Sequence, residues 1–319
     1  MISLIRNEWM KIFAKASSYV FIGILVVAVI GSAFIARAVN NNNTNNDWRA
    51  EEQANIEMYK EDLANPELGE EEKNYAAEEI KAAEARLDAG VDPYKITTWT
   101  FMSDWVISFT SFVTLFAVIV CSASVSSEFS DGTIKQLLIR PHRRWKILLS
   151  KYITSLLFAG SMLVILVVAG YLTGLIFFDH GSFSEKMVDP MTYDNNMTVA
   201  AGSYFIDMVV YWIPGFIIIT TIAFMLSTLF KNQSIAVGIA VFILFASAPL
   251  NVLITAFVER YEWLKYVLFP HLDLRGYITD SIPMFEGATV GFSLGVLAVY
   301  YAIFIAITFF VFKKKDISI

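Results

Sequence analysis

Six stretches of the chain carry no Asp, Glu, Lys or Arg: Tyr19 to Ala36, Trp105 to Val125, Tyr152 to Phe178, Met208 to Phe230, Asn232 to Val258 and Gly287 to Phe312. A helix rises about 1.5 Å per residue, so each can supply the roughly 20 apolar residues that cross a hydrocarbon layer about 30 Å thick. The pattern predicts an all-α integral membrane protein with six transmembrane helices, over 17–39, 101–125, 147–178, 205–230, 233–258 and 288–312. The intervening polar segments carry helical spacing of their own. Leu4, Ile5, Trp9, Ile12 and Phe13 alternate with Arg6, Glu8, Lys11 and Lys15, which predicts an amphipathic helix over 1–16 lying at a membrane surface, with Glu8, Trp9 and Lys11 at its interface. Between the first two spans, Ile56, Tyr59 and Leu63 recur at spacings of three and four, as do Ala76, Ile80, Ala83 and Leu87, and Asn65-Pro66 separates the sets. Residues 40–98 therefore read as an acidic helical hairpin.

Within the spans, Pro214-Gly215 and Pro249 predict kinks whose freed carbonyls need partners, and these are candidate gate positions. Gly170 and Gly174 in the third span, and Gly291 and Gly295 in the sixth, sit at the four-residue spacing that lets helices approach closely. Residues 179–204 form a polar connection. The segment 259–287 mixes Tyr261, Trp263, Tyr266, Phe269 and Tyr277 with Pro270 and Pro283, and suits an interfacial stretch or short re-entrant helices.

Composition agrees. Of 319 residues, 56% are hydrophobic, 15% aromatic and 17% charged, more apolar and less charged than soluble domains. The first span is longer than a signal-peptide core and is followed by Arg37 and an Asn run instead of small residues, so it reads as a retained helix. Cys121 is the only cysteine and forms no intrachain disulfide.

Charge supplies sidedness. Arg6, Lys11 and Lys15 precede the first span; Lys135, Arg140, Arg143, Arg144, Lys146 and Lys151 follow the second; Lys231 follows the fourth; Lys313, Lys314 and Lys315 lie in the tail 313–319. Six spans put all four regions on one side, where 13 basic residues meet only Glu8, Glu128, Asp131 and Asp316. By the positive-inside rule both termini are cytoplasmic and the hairpin extracellular. The overall charge of -6 thus conceals a basic inner face and an acidic outer one.

The inner connection 126–146 is the most informative segment. Asp131 or Thr133 can cap a helix, Ile134, Leu137 and Leu138 form an apolar stripe at i, i+3 and i+4, and Pro141 stops it after about two turns. Lys135, Arg140, Arg143, Arg144 and Lys146 surround it with charge for lipid headgroups or partner acids. With Glu128, Gly132, Thr133, Leu137, Leu138, Pro141, Arg144 and Lys151 in this order, and Glu8, Lys11 and Leu229-Phe230-Lys231-Asn232 elsewhere, the chain resembles the ABC-2 type permease family, of the bacterial drug, bacteriocin-immunity and peptide-export kind. That resemblance implies a type V exporter-like fold and a permease subunit of an ATP-binding cassette exporter in the bacterial plasma membrane, moving a hydrophobic or amphipathic antibiotic, peptide or lipid-like substrate. It implies a second permease copy, identical or a sister chain, and an ATPase subunit dimer that binds ATP and Mg and receives residues 126–146 as a coupling helix.

The chain itself has no Gly-x-x-x-x-Gly-Lys-Ser/Thr phosphate loop, so ATP chemistry would belong to the partner. His142, His180 and His271 lie outside the spans without metal-ligand spacing, so neither a metal site nor a catalytic residue is expected. Arg37, Asp104 and Asp207 fall at span edges, where they can snorkel to the surface. No nucleic-acid partner is expected. The other reading is a non-transporting sensor or scaffold that uses the acidic hairpin.

Overall fold

Twelve α-helices carry most of the described chain, in a computed structural model that describes residues 1–43, 47–92, 94–133, 143–188, 198–279 and 284–314. Helix α1 (Ile2–Phe13) is amphipathic and meets α2 (Ala16–Asn43) after a two-residue break. Helices α3 (Trp48–Ala64) and α4 (Glu70–Ala89) pair side by side. Between them Ile56, Ile80 and Ala83 are buried, with Tyr59 and Leu87 against them. Arg86 donates to both oxygens of buried Glu52, at 3.0 and 2.9 Å. Gly90, at φ 63°, ends α4 in the left-handed conformation that glycine adopts without strain.

Six helices are long and apolar enough to cross a membrane: Ala16–Asn40, Val106–Ser130, Arg144–Phe177, Ala201–Leu229, Gln233–Phe257 and Val290–Lys314. The third span is α8 (Arg144–Phe177), the fourth α9 (Ala201–Leu229), the fifth α10 (Gln233–Phe257) and the sixth α12 (Val290–Lys314). The fourth is the most buried of the six and packs against the second, fifth and sixth. It contributes to both large apolar clusters, through Met208, Trp212 and Phe216 in one and Ile219, Ile222 and Phe224 in the other.

The second span is not one helix. Helix α5 (Thr98–Asp104) is followed by a 3-10 turn (Val106–Phe109), then α6 (Thr110–Ala123) and the short α7 (Ser126–Ser130). At the second break, Ser227 Oγ of the fourth span accepts the amides of Val125 (2.8 Å) and Ser126 (3.0 Å). An unpaired amide in hydrocarbon costs several kcal/mol, so this serine is what allows the chain to turn there. Gly170 and Gly174 accommodate the oblique α5 segment: a Cβ on Gly170 would lie 2.6 Å from a Val106 methyl, and one on Gly174 3.0 Å from Thr98. The close approach expected of this pair thus occurs within the chain. A Cβ on Gly291 or Gly295 would meet nothing within 4 Å.

The ends of the bundle are tied by separate contacts. At one end Ser130 Oγ donates to Lys231 O (3.1 Å) and accepts Gln233 N (3.0 Å). At the other, Thr98 N donates to Asp179 O (3.0 Å), Lys95 pairs with Glu185 at 3.9 Å, and strand β1 (Lys186–Val188) pairs antiparallel with β2 (Thr198–Ala200). Arg37, Asp104 and Asp207 are exposed.

The connection between the fifth and sixth spans folds back along the bundle. It contains two 3-10 turns, Glu262–Tyr266 and Phe269–His271, and the short α11 (Gly276–Thr279). His271 is fully buried; its Nε2 lies 2.9 Å from Lys265 O and its Nδ1 2.7 Å from Ser293 Oγ. A carbonyl only accepts, so Nε2 carries the proton and Nδ1 takes the Ser293 hydroxyl. Burial lowers the imidazole pKa despite the bond to Lys265, which favours this neutral form. Tyr300 Oη donates to Tyr266 O at 3.2 Å. The segment sits against the middle of the fourth span, where a Cβ on Gly215 would lie 1.6 Å from Leu272 O. Gly215 is therefore a seat for another segment's backbone. Pro214 and Pro249 both lie inside continuous helices.

Gly215→Ala should displace this connection and lower the thermal unfolding midpoint of the detergent-solubilised protein, at a cost of about 1–3 kcal/mol. Gly238→Ala, where a Cβ would meet nothing within 4 Å, should leave it unchanged. An unaltered midpoint for Gly215→Ala would mean that the connection is not seated there.

Candidate functional site

The side chain of Lys151 is 2% exposed, in the second turn of the third span. A lysine is almost never buried unless it is paired, and this one is paired completely. Its ammonium lies 2.7 Å from Glu8 Oε2, 2.7 Å from Glu128 Oε1 and 3.3 Å from Ser124 O. Its three N–H donors thus have three acceptors, one of them a carbonyl freed where the second span breaks. Lys11 closes the arrangement from the surface, at 2.8 Å from Glu8 Oε1 and 3.2 Å from Glu128 Oε1. Two carboxylates, each 12% exposed, thus face two ammonium groups.

Each partner comes from a different element, and each element has a reason to be there. Glu8 and Lys11 are i and i+3 on α1, so they share a face. The apolar side of α1 packs on the bundle through Trp9, Ile12 and Phe13, with Trp9 and Phe13 rings 4.6 Å apart and Phe13 5.8 Å from Phe158. Ser18 Oγ caps Ile12 O at 2.7 Å, and Thr154 Oγ1 reaches Ile5 O at 3.4 Å. Glu128 is held by α7, whose direction is set by Ser227. Lys151 comes from the long helix α8, among its buried residues.

Burial raises the Glu8 pKa, but the Lys151 charge and the hydrogen bonds from Lys11 and Lys151 outweigh it and hold the carboxyl below its ordinary 4.5. Burial lowers Lys11, and Glu8 and Glu128 more than offset that. Glu128 Oε2 is buried and has no hydrogen-bond partner among the described residues. It is the one carboxylate oxygen of the cluster left to accept a further donor. A cavity of about 640 Å³ adjoins the four charged groups and is also lined by Lys15, Asp131, Thr133 and Gln233.

Of the residues singled out from sequence, Glu8, Lys11 and Glu128 meet here, and Trp9 seats their helix. Asp131 and Thr133 border the cavity, and the helix that either was expected to cap falls on residues outside the described ones. Asp131 is the C-cap of α7, with its amide bonded to Ser127 O at 2.8 Å. Gly132, at φ 68°, makes the left-handed exit, and Thr133 Oγ1 turns back toward Glu128 O at 3.5 Å. Arg144 is exposed in the first turn of α8, away from the cluster. Ile134, Lys135, Leu137, Leu138 and Pro141, with the expected coupling helix, lie outside the described residues. The joining of Glu8 to Lys151 across 143 positions was not anticipated. The visible signal was a lysine at the edge of an apolar stretch, on a side with few acidic residues, Glu8 and Glu128 among them, to balance it.

A bundle of six apolar helices with a buried ion cluster at one end defines a multi-pass membrane protein. The chain belongs to the family described as "Protein of unknown function (DUF2705)", which matches residues 88–318. It is 37% identical to a protein of Bacillus subtilis strain 168 described as "Uncharacterized protein YhcI", over the whole of both chains. It is 28% identical over 202 residues to "Uncharacterized membrane protein YdbK" of the same organism, covering 63% of this chain and 76% of the relative. This corrects the resemblance to ABC-2 type permeases: the family found is a different one, and neither relative bears a transporter name. The physical reason is local. A left-handed glycine after a helix, a leucine pair and a stop at proline are what any short amphipathic connection between two spans requires, so their order does not single out one family.

The depressed Glu8 pKa gives the cluster a pH dependence. A group whose folded pKa lies below its unfolded value contributes stability that is complete above the unfolded value and lost as pH falls through the folded one. Amide exchange protection in α1 should therefore hold steady from neutral pH down through the ordinary carboxylate range and fall only below it. Lys151→Met removes the main charge holding Glu8 down, leaving burial to raise it. The loss of protection should then begin above the ordinary carboxylate range, with a destabilisation of about 3–5 kcal/mol. If the onset stays where it is in the unaltered protein, Lys151 does not control Glu8.

Proposed function

We propose that this chain is the membrane-spanning subunit of an exporter in the plasma membrane, driven by ATP hydrolysed on a separate polypeptide. The observation that carries the reading is the Glu8–Lys151–Glu128 junction. It ties the interfacial helix, the exit of the second span and the entrance of the third into one mechanical unit. A force applied to residues 131–143 reaches all three through groups that are costly to separate. The basic bias of the same end puts it in the cytoplasm, where an ATPase would meet it. The sequence has no phosphate loop, so the energy would enter through that partner. On this reading Asp131, Gly132, Thr133 and the following stretch form the contact with an ATPase pair that binds ATP and Mg, a second copy or sister chain completes the membrane unit, and the α3–α4 pair stands outside.

The test uses the full chain with an ATPase that co-purifies with it. Scrambling residues 134–142 should abolish co-purification. Glu128→Gln should leave the ATPase bound while transport-linked hydrolysis falls about tenfold. Unchanged hydrolysis and retention after scrambling would overturn the proposal.

A further inference from the structure

The second large cavity, about 560 Å³, lies among the second, fourth and fifth spans and the folded-back connection. We infer that it is a binding site for a single-tailed amphipath with a zwitterionic head, entering sideways from the outer leaflet. Only the word outer rests on the proposed sidedness, and only calling the ligand a substrate rests on the transport reading.

The site has two chemically distinct ends. Its deep end, at Ile219, is eight residues or about 12 Å of helix from Ser227 and the charged end of the bundle, near the middle of a hydrocarbon layer. Trp212 and Phe216 form a stacked wall that runs from there toward the other end, ring centroids 4.3 Å apart. Its other end is polar. Arg275 binds Asp273 with Nε to Oδ1 at 2.8 Å and Nη2 to Oδ2 at 2.5 Å, while Nη1 has only a long contact, 3.5 Å, to Thr110 Oγ1. Thr110 is fourteen residues or about 21 Å of helix from Ser124, in the opposite half of the layer. A molecule with its head there and its tail at Ile219 would have the orientation of a lipid in that leaflet.

The lip fixes the route of entry. Phe245, 66% exposed, and Val252, 71% exposed, border the cavity on the fifth span, the span least covered by the rest of the chain. The opening therefore faces the bilayer. The volume lies within the range that encloses a drug-sized ligand. The head chemistry follows from the ion pair. Burial opposes both charges, yet each partner holds the other ionised, Asp273 below and Arg275 above the ordinary values. As a unit the pair is neutral and offers one group of each sign, so a zwitterion can satisfy both where a singly charged head would meet a like charge.

The test is photolabelling of the full chain in nanodiscs with a lysophosphatidylcholine carrying a diazirine in its tail, read by peptide mapping. Adducts should concentrate on peptides holding Trp212 and Phe245 and be competed by unlabelled lysophosphatidylcholine. Ala248→Trp fills the cavity from an exposed position on its wall and should remove the saturable adducts. Asp273→Asn with Arg275→Gln should weaken competition by the zwitterion about tenfold, leaving a maltoside of equal tail length unaffected. Adducts that do not saturate, or that match those on lipid-facing residues such as Val27 and Ile176, would overturn the inference. So would equal weakening for both heads. Saturable labelling in a chain that retains no ATPase would sustain the site and count against the transport reading alone.

Discussion

Every break in a membrane helix exposes backbone groups that hydrocarbon cannot solvate, and the fold is organised around the side chains that satisfy them. At Ser124–Val125 two amides go to Ser227 and a carbonyl to Lys151. In the folded-back connection the Lys265 carbonyl goes to His271 and the Tyr266 carbonyl to Tyr300. At Ser124–Val125 and at Tyr266 the partner comes from a different element, so local irregularity is converted into a tertiary bond.

Lys151 shows how one such solution leads to another. Bringing an ammonium group inside costs several kcal/mol of hydration, and the Ser124 carbonyl alone does not balance it. Two carboxylates are then needed for hydrogen bonding, and with them a second cation to restore neutrality. Lys11 supplies it from a helix whose apolar face already suits the bundle surface. Among the described residues the result leaves one carboxylate oxygen without a donor, at Glu128, so the tightest part of the cluster adjoins its least satisfied atom. That is where a further donor would alter the balance most.

Much of this was legible in the sequence, and the reasons for the rest are physical. Six charge-free stretches of sufficient length gave the spans, because hydropathy over some 20 residues is a strong signal. The pairing of α3 with α4 followed from Ile56, Ile80 and Ala83 at helical spacing. The breaks in the second span did not, since neither Trp105 nor Ser124–Val125 involves a proline or glycine. The second of them depends on Ser227, about a hundred residues away. Gly215 was noticed as a kink position, but its use as a seat for Leu272 is a tertiary fact. His271 looked like a loop histidine because the connection that carries it is polar in composition and buried in space.

The fourth span connects the two ends. Ser227, which fixes the break beside Lys151, and Gly215, which seats the connection bordering the second cavity, lie on one helix twelve residues apart, about 18 Å. That helix is the most buried of the six, and packed interiors respond to displacement as units because they have few voids to absorb it. A shift of α7 large enough to disturb Ser227 would therefore be felt at Trp212 and Phe216 as a movement of the whole helix. The coupling this allows is rigid-body, and it needs no flexible hinge at Pro214.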